Sequence, residues 1–269
     1  MRLLSWNVAG RTALLERQIA AVRRREADVV CLQEVRPSTA VAWREALAAD
    51  GLGFALDSAV FRDGRRLFNL TAARWPLREQ PPLGAPQPER ILSCVIESPG
   101  HELELHNAHI PPAPRNGLVK VETCEALHHR LARPSSRHRV LCGDLNTPRS
   151  ESTEGEVETF ALNHPEHAER WDAAERSILT GLAEWGLVDV FRSLNGWDRR
   201  DVSWVFHSRW ARKAAHRLDH VLASPGLGAT GCDYVHEWRE AGLSDHSAIE
   251  AEFAPEGDPI PPNRAGPDR

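Results

Sequence analysis

A set of polar residues stands at the ends of apolar runs. Asn7 follows LLSW, Glu34 follows VVCLQ, His109 closes LELHNAH, and Asp144 and Asn146 follow VLCG. Asp219 lies in RLDH, and Asp245 and His246 precede SAIEAEF. The carboxylates of Glu34 and Asp245 and the amide oxygen of Asn7 are hard oxygen donors. That is the donor set Mg²⁺ prefers while it keeps several of its waters. The five cysteines, Cys31, Cys94, Cys124, Cys142 and Cys232, form no close pair, so a thiolate centre is excluded. Asp144 is a candidate to orient or deprotonate an attacking water, and Asn146 to hold that water or a phosphate oxygen. His246 can hydrogen-bond phosphoryl oxygens as charge builds on them. A histidine in that role needs a fixed orientation, and Asp219 is the expected carboxylate on its other ring nitrogen.

Each residue alone has a plainer explanation. Asn7 closes a turn, Asp144 in GDLNTP forms an Asx turn ahead of Pro148, and Asp219 pairs with Arg217. His109, before two prolines, is an ordinary surface histidine. The functional reading takes its weight from the set. Polar groups at strand ends converge on one sheet edge, where rigid scaffolds carry their sites.

The elements that must position them follow from periodicity. Residues 2–6, 28–33, 54–60, 67–72, 91–97, 103–109 and 139–143 read as strands, with later short strands near 203–207, 218–223, 233–238 and 247–253. Residues 12–26 carry Leu15, Ile19 and Val22 at helical spacing. Residues 39–49, 117–132 and 173–185 also read as helices, and 149–172 as a polar, irregular surface excursion. Many short strands with a few helices argue for two packed sheets with helices outside. Periodicity alone does not separate this from an open α/β sheet. One domain is expected over residues 1–254, and the Pro-, Gly- and charge-rich residues 255–269 are expected to be a disordered tail.

The 269 residues carry a formal net charge of −5, which argues against a broad basic footprint for nucleic acid. A local basic rim would suffice, and Arg23–Arg25, Arg62–Arg66 and Arg209–Arg217 are the candidates, each otherwise a solvated face. There is no apolar run of membrane-spanning length and no secretory leader pattern. With unpaired cysteines, this reads as a cytoplasmic protein, expected to be a monomer without membrane insertion.

The ordered series SWNVAG, CLQEV, ARWPL, NAHIPP, GDLNTP, RLDHVLAS and LSDHSAIEAEF spans residues 5–253 and resembles the endonuclease/exonuclease/phosphatase superfamily. The resemblance implies a four-layer α/β/β/α sandwich of two packed mixed sheets with helices on the outer faces. It also implies Mg²⁺ or Mn²⁺ on Glu34, with Asn7 and Asp245 beside it. Matched by motif, Asp144 positions or activates the water, and Asn146 supports the phosphate. His246, oriented by Asp219, stabilises the pentacovalent phosphorus or transfers a proton. The abasic-endonuclease branch has Tyr where this chain has His109, which is expected to be catalytic, donating to a phosphate oxygen or protonating the leaving alkoxide, and Asn where it has Pro112. The stretch around Lys120 and the Trp204 of DVSWVF resemble that same branch, where an aromatic lines a sugar pocket. Lys120 and Trp204 are therefore expected to bind substrate. The implied activity is phosphodiester hydrolysis on DNA or RNA. A phosphatase or phosphodiesterase for a small molecule or lipid head group is the alternative, and a binding module without catalysis the third reading.

Overall fold

The structure, a computed structural model, describes residues 1–61, 67–112, 117–206 and 214–254. Strands β1 (Arg2–Asn7), β2 (Val29–Val35), β3 (Phe54–Asp57) and β4 (Phe68–Ala73) share the first part of the chain with helices α1 (Leu15–Arg23) and α2 (Ala40–Ala49). Next come β5 (Leu77–Glu79), β6 (Ile91–Ser98), β7 (His101–His109), α3 (Val119–Leu131) and β8 (His138–Asp144). A small hairpin of β9 (Ser150–Glu151) and β10 (Val157–Glu158) leads to α4 (Ala168–Leu179), β11 (Val188–Asp189) and α5 (Val190–Asn195). The chain ends in β12 (Trp204–Phe206), β13 (Ala214–His216), β14 (Asp219–Ala223), β15 (Ala229–Val235), α6 (His236–Glu240) and β16 (Ala248–Phe253).

Two six-stranded sheets form, in the orders β15-β16-β1-β2-β4-β3 and β11-β14-β8-β7-β6-β5. Each is mixed, with one parallel pair at its centre, β1·β2 and β7·β8. Strand alternation then builds the layers, because successive side chains point to opposite faces. Leu3, Val29, Cys31, Leu105, Val140, Cys142, Val221 and Ile249 belong to one buried cluster between the sheets. The intervening Leu4, Trp6, Val30 and Leu32 pack outward against Ile19 and Val22 of α1 and Trp43 and Leu47 of α2. Leu141 and Leu222 of the second sheet meet Val121, Cys124 and Leu127 of α3 and Trp171 and Ile178 of α4. Three apolar layers between four structural ones make the α/β/β/α sandwich that the motif series implied.

Several boundaries differ from the sequence reading. The strand expected at 54–60 stops at Asp57, whose Oδ1 accepts from the Ala59 N–H and turns the chain into a 3₁₀ helix, Ser58–Phe61. The excursion at 149–172 is structured, with the β9·β10 hairpin and 3₁₀ turns too short to leave a periodic signal. Helix α4 begins earlier than 173 and ends at Leu179, and GLAEW continues as a 3₁₀ turn. Its first turn carries Glu169 and Arg170, both exposed, and no apolar repeat precedes Trp171, which hid its start. Residues 233–238 are the end of β15 and most of α6. The Arg62–Arg66 rim, the 209–213 part of the other rim, and the tail at 255–269 lie outside the described residues.

Candidate active site

The face between the sheets changes character along the strands. Leu3, Val29, Leu103 and Val140 fill one end with apolar side chains. Further along, Ser5, Gln33 and Asn107 occupy the same inward positions. Gln33 Nε2 donates to Ser5 Oγ at 3.0 Å and to Asn107 Oδ1 at 2.9 Å. Asn107 Nδ2 in turn donates to the Leu70 carbonyl at 3.0 Å, crossing from one sheet to the other. One step beyond, the two parallel pairs end in Asn7, Glu34, His109 and Asp144. His109, Asp144 and Asp219 lie side by side across β7, β8 and β14, in register.

Two site residues are held in left-handed backbone, Glu34 at φ 58° and Asn146 at φ 51°. Such a conformation is uncommon for a non-glycine residue and is most costly at Glu34, which lacks the local hydrogen bonding that eases Asn. At Glu34 the pairing of β2 with β4 shifts register between Leu32 and Val35, which turns its side chain out of the strand's alternation. Gly143, at φ 131°, lets β8 pass against β7 so closely that a Cβ there would sit 1.9 Å from the Ala108 carbonyl oxygen.

The side chains interlock. Asn7 Nδ2 donates to Asp144 Oδ2 at 2.9 Å and to Glu34 Oε1 at 3.3 Å, while its Oδ1 accepts from the Ala9 N–H at 2.9 Å. Asp144 Oδ1 accepts from the Asn146 N–H at 3.0 Å, and Asn146 Nδ2 donates to the Ile110 carbonyl at 2.7 Å. His246 Nδ1 lies 2.8 Å from Asp219 Oδ2, and its Nε2 faces Asp144 Oδ2 at 3.7 Å. His109 Nε2 lies 3.4 Å from Glu34 Oε1 and 3.7 Å from Asp144 Oδ2. Arg90 Nη1 is 2.9 and 3.0 Å from its two ring nitrogens. Trp204 Nε1 donates to Asp245 Oδ2 at 3.3 Å. The Asp245–His246 loop is pinned to the end of β1. Ser244 Oγ donates to the Asn7 carbonyl, and Trp6 Nε1 to the His246 carbonyl.

Burial would strip His246 of its proton, but Asp219 and Asp144 outweigh it and push the imidazole up to about 10. Burial raises the Asp144 carboxyl to about 7, with His246 pulling it down and Asp219 pushing it up. His109 is held well below the usual imidazole range by burial, then by Arg90 and His246. One side of the site thus carries a charged imidazole and the other a neutral one.

These groups line a pocket of about 520 Å³. Trp204, Phe206, His216 and Phe160 line the same pocket. Trp204 stacks on Phe206 with centroids 5.9 Å apart and on His216 at 6.0 Å.

Of the sequence-predicted residues, Glu34, His109, Asp144, Asn146, Trp204, Asp245 and His246 line this one pocket, and Asp219 stands behind His246. Asn7 bridges the Asp144 and Glu34 carboxylates through its nitrogen, and its oxygen accepts from the Ala9 N–H. One expectation needs correcting. Lys120 is not at the surface of the pocket. It is fully buried, 2.6 Å from Glu175, and cannot meet a substrate directly. Arg90, Phe160 and His216 were missed, since they sit in turns and on a three-residue strand with no strand-end signature. Gln18 was missed too, although its Nε2 ties the Val8 carbonyl to that of Leu243.

A divalent cation fits the donors. The Asp144 and Asp219 carboxylates stand close together, and the buried Oδ1 of Asp219 has no hydrogen-bond partner. Glu34 and Asp245 add two more carboxylates to the same pocket, so hard oxygen donors dominate.

A two-sheet sandwich that gathers carboxylates and an Asp-paired imidazole at one end, beside a pocket, defines a metal-assisted phosphoesterase. The chain belongs to the Endonuclease/Exonuclease/phosphatase family, matched over residues 4–246. It is 26% identical over 254 residues to an exodeoxyribonuclease of Bacillus subtilis (strain 168), covering 84% of this chain and 89% of that protein. Its fold is similar to that of an AP endonuclease from Archaeoglobus fulgidus, at a TM-score of 0.72 and 19% identity, covering 95% of this chain and 100% of that one. It is similar also to the 3' phosphatase NExo from Neisseria bound to a product DNA hairpin, at a TM-score of 0.64 and 20% identity, covering 94% and 99%. The protein is a divalent-metal-dependent hydrolase of phosphodiesters. Among the described residues, no helix is long and apolar enough to cross a membrane.

Proposed function

We propose that the substrate is nucleic acid, DNA or RNA, and that the metal is Mg²⁺ or Mn²⁺. One observation carries this reading. The phosphate-handling groups share their pocket with three aromatic rings, Trp204, Phe206 and His216. Sugars and bases pack on such faces with little regard to sequence. Two similar proteins, an exodeoxyribonuclease and a 3' phosphatase bound to a product DNA hairpin, support it.

Glu34 and Asp245 would hold the cation, which offsets charge on the phosphoryl oxygens. Asp144, fixed by Asn7 and by the Asn146 N–H, aligns the attacking water and accepts its proton. Asn146 supports the phosphate. His246, oriented by Asp219, donates from Nε2 to a phosphoryl oxygen as charge builds there. His109 donates a further hydrogen bond to the phosphate, and as the bond from phosphorus to the leaving oxygen breaks, that oxygen takes a proton from the charged His246 imidazole.

The test is a panel of abasic-site duplex, single-stranded DNA, RNA and bis-p-nitrophenyl phosphate, each with Mg²⁺ and with Mn²⁺. Cleavage of at least one nucleic acid is expected. Turnover of the small diester with all three nucleic acids intact would overturn the nuclease reading. It would favour the small-molecule alternative, which His109, Pro112 and the net charge of −5 support. The five free, buried thiols support a reducing, cytoplasmic setting. As a monomer the protein should scatter light as a 30.0 kDa particle.

A further inference from the structure

Behind the pocket, two charged side chains meet where no substrate can reach. Lys120 of α3 and Glu175 of α4 are both fully buried. Lys120 Nζ lies 2.6 Å from Glu175 Oε1, which also accepts from Trp171 Nε1 at 2.7 Å. The other oxygen, Oε2, accepts from Thr147 Oγ1 and from the Phe160 N–H. Lys120 Nζ has a second bond, to the Asn146 carbonyl at 2.8 Å, and stands 4.7 Å from the centre of the Phe160 ring. The pair therefore holds three things at once. It fixes the loop carrying Asn146 and Thr147, the turn carrying Phe160, and the packing of α3 on α4.

Burying two opposite charges is a poor way to gain stability. The desolvation cost is several kcal/mol per ion, and apolar residues of similar volume are often as stable or more so. What the pair offers is direction. Asn146 has a left-handed backbone that costs free energy, and such a conformation persists only where its surroundings over-determine it. Its N–H is held by Asp144 and its side chain by Ile110, and the Lys120 bond to its carbonyl completes the set.

We propose that Glu175, acting through Lys120 and Thr147, is the positioning residue for Asn146 and Phe160, and that this buried pair sets the catalytic geometry of the pocket's phosphate side. The role rests on the phosphodiesterase chemistry given above for Asn146. Neither residue touches substrate.

Two variants test it. In Glu175→Gln the shape is kept. Whichever way the amide faces, its NH₂ turns toward Lys120 and Trp171 or toward Thr147 and Phe160, all donors in this arrangement. In the double variant Lys120→Met, Glu175→Leu the charges are replaced by apolar groups, so a folded protein is available even if the glutamine disturbs packing. Two quantities are read. One is the pair of Asn146 resonances, backbone and side-chain amide, in the ¹H–¹⁵N spectrum without substrate. The other is kcat and KM on bis-p-nitrophenyl phosphate. The expected result in both variants is displaced Asn146 resonances. A fall in kcat of about 10²-fold, the scale of an ångström of misplacement, should accompany it. KM should stay within about twofold, since an interaction used in the transition state is what is lost. A purely structural pair would instead give a double variant as stable as the wild type with wild-type kcat, and that result overturns the proposal. So do Asn146 resonances that superimpose on those of the wild type in both variants. A wild type that cleaves no phosphodiester would sink the functional reading alone, and the resonances would still decide the positioning.

Discussion

Both oxygens of Asp144 have fixed directions before any substrate arrives, one held by Asn7 and the other by the Asn146 N–H. Asp144→Asn keeps the volume but removes the proton acceptor. Turnover of bis-p-nitrophenyl phosphate should fall by about 10²–10⁴-fold, the usual contribution of a positioned base. The near-ultraviolet circular dichroism should stay that of the wild type, and retained turnover would take Asp144 out of the mechanism. At this scale the sequence was legible wherever chemistry coincides with a strand end, as at Glu34, Asp144 and His246. It was less so where meaning depends on what a side chain faces. Nothing in SWNVAG tells that the Asn7 nitrogen bridges Asp144 and Glu34. Lys120 and Glu175 did leave a trace, a charge inside the buried stripe of each helix, at positions where spacing alone calls for apolar residues.

Among the elements, the approach of β8 to β7 has the sharpest requirement. Gly143→Ala would force a Cβ into the Ala108 carbonyl in a backbone region closed to L side chains. The expected loss is ~4 kcal/mol or more, in the range reserved for backbone clashes in a core, and thermal denaturation reads it directly. The β9 strand gives a pH prediction. Burial alone would raise the Glu151 carboxyl, but hydrogen bonds and charge from Arg217, with Arg192, bring it down to about 2. A carboxylate depressed in the folded state stabilises above its unfolded value of about 4.3, and that contribution is lost as pH falls toward 2. Denaturant titrations should therefore show stability dropping between about pH 4 and pH 2. In Glu151→Gln the drop should be smaller, and neutral-pH stability lower by about 3 kcal/mol. An unchanged profile in that variant would remove the pair from the stability of this region. The hairpin itself was not foreseen, because two strands of two residues leave no period to find. The long central strands were, because alternation and apolar runs persist over six or more residues.

For the whole molecule, charge and metal decide the behaviour. On the proposed nucleic-acid substrate, a chain of net charge −5 should make few phosphate contacts. The dependence of log affinity on log salt should be shallow, about −2 to −3, and a slope near that of a large basic interface would contradict the reading. Chelation should abolish turnover, and Mg²⁺ or Mn²⁺ should restore it. The layering was visible in the motif series, yet which elements close the sheets was not. The last described strand, β16, lies between β15 and β1 in the interior of its sheet, and Met1 N donates to the Phe253 carbonyl across that seam. During synthesis β1 can pair with β2 early, but its other neighbour exists only once residues 248–253 have been made. Asp245 and His246 emerge at the same late moment. A polypeptide stopped short of this point lacks two of the pocket's polar groups and the strand that flanks β1.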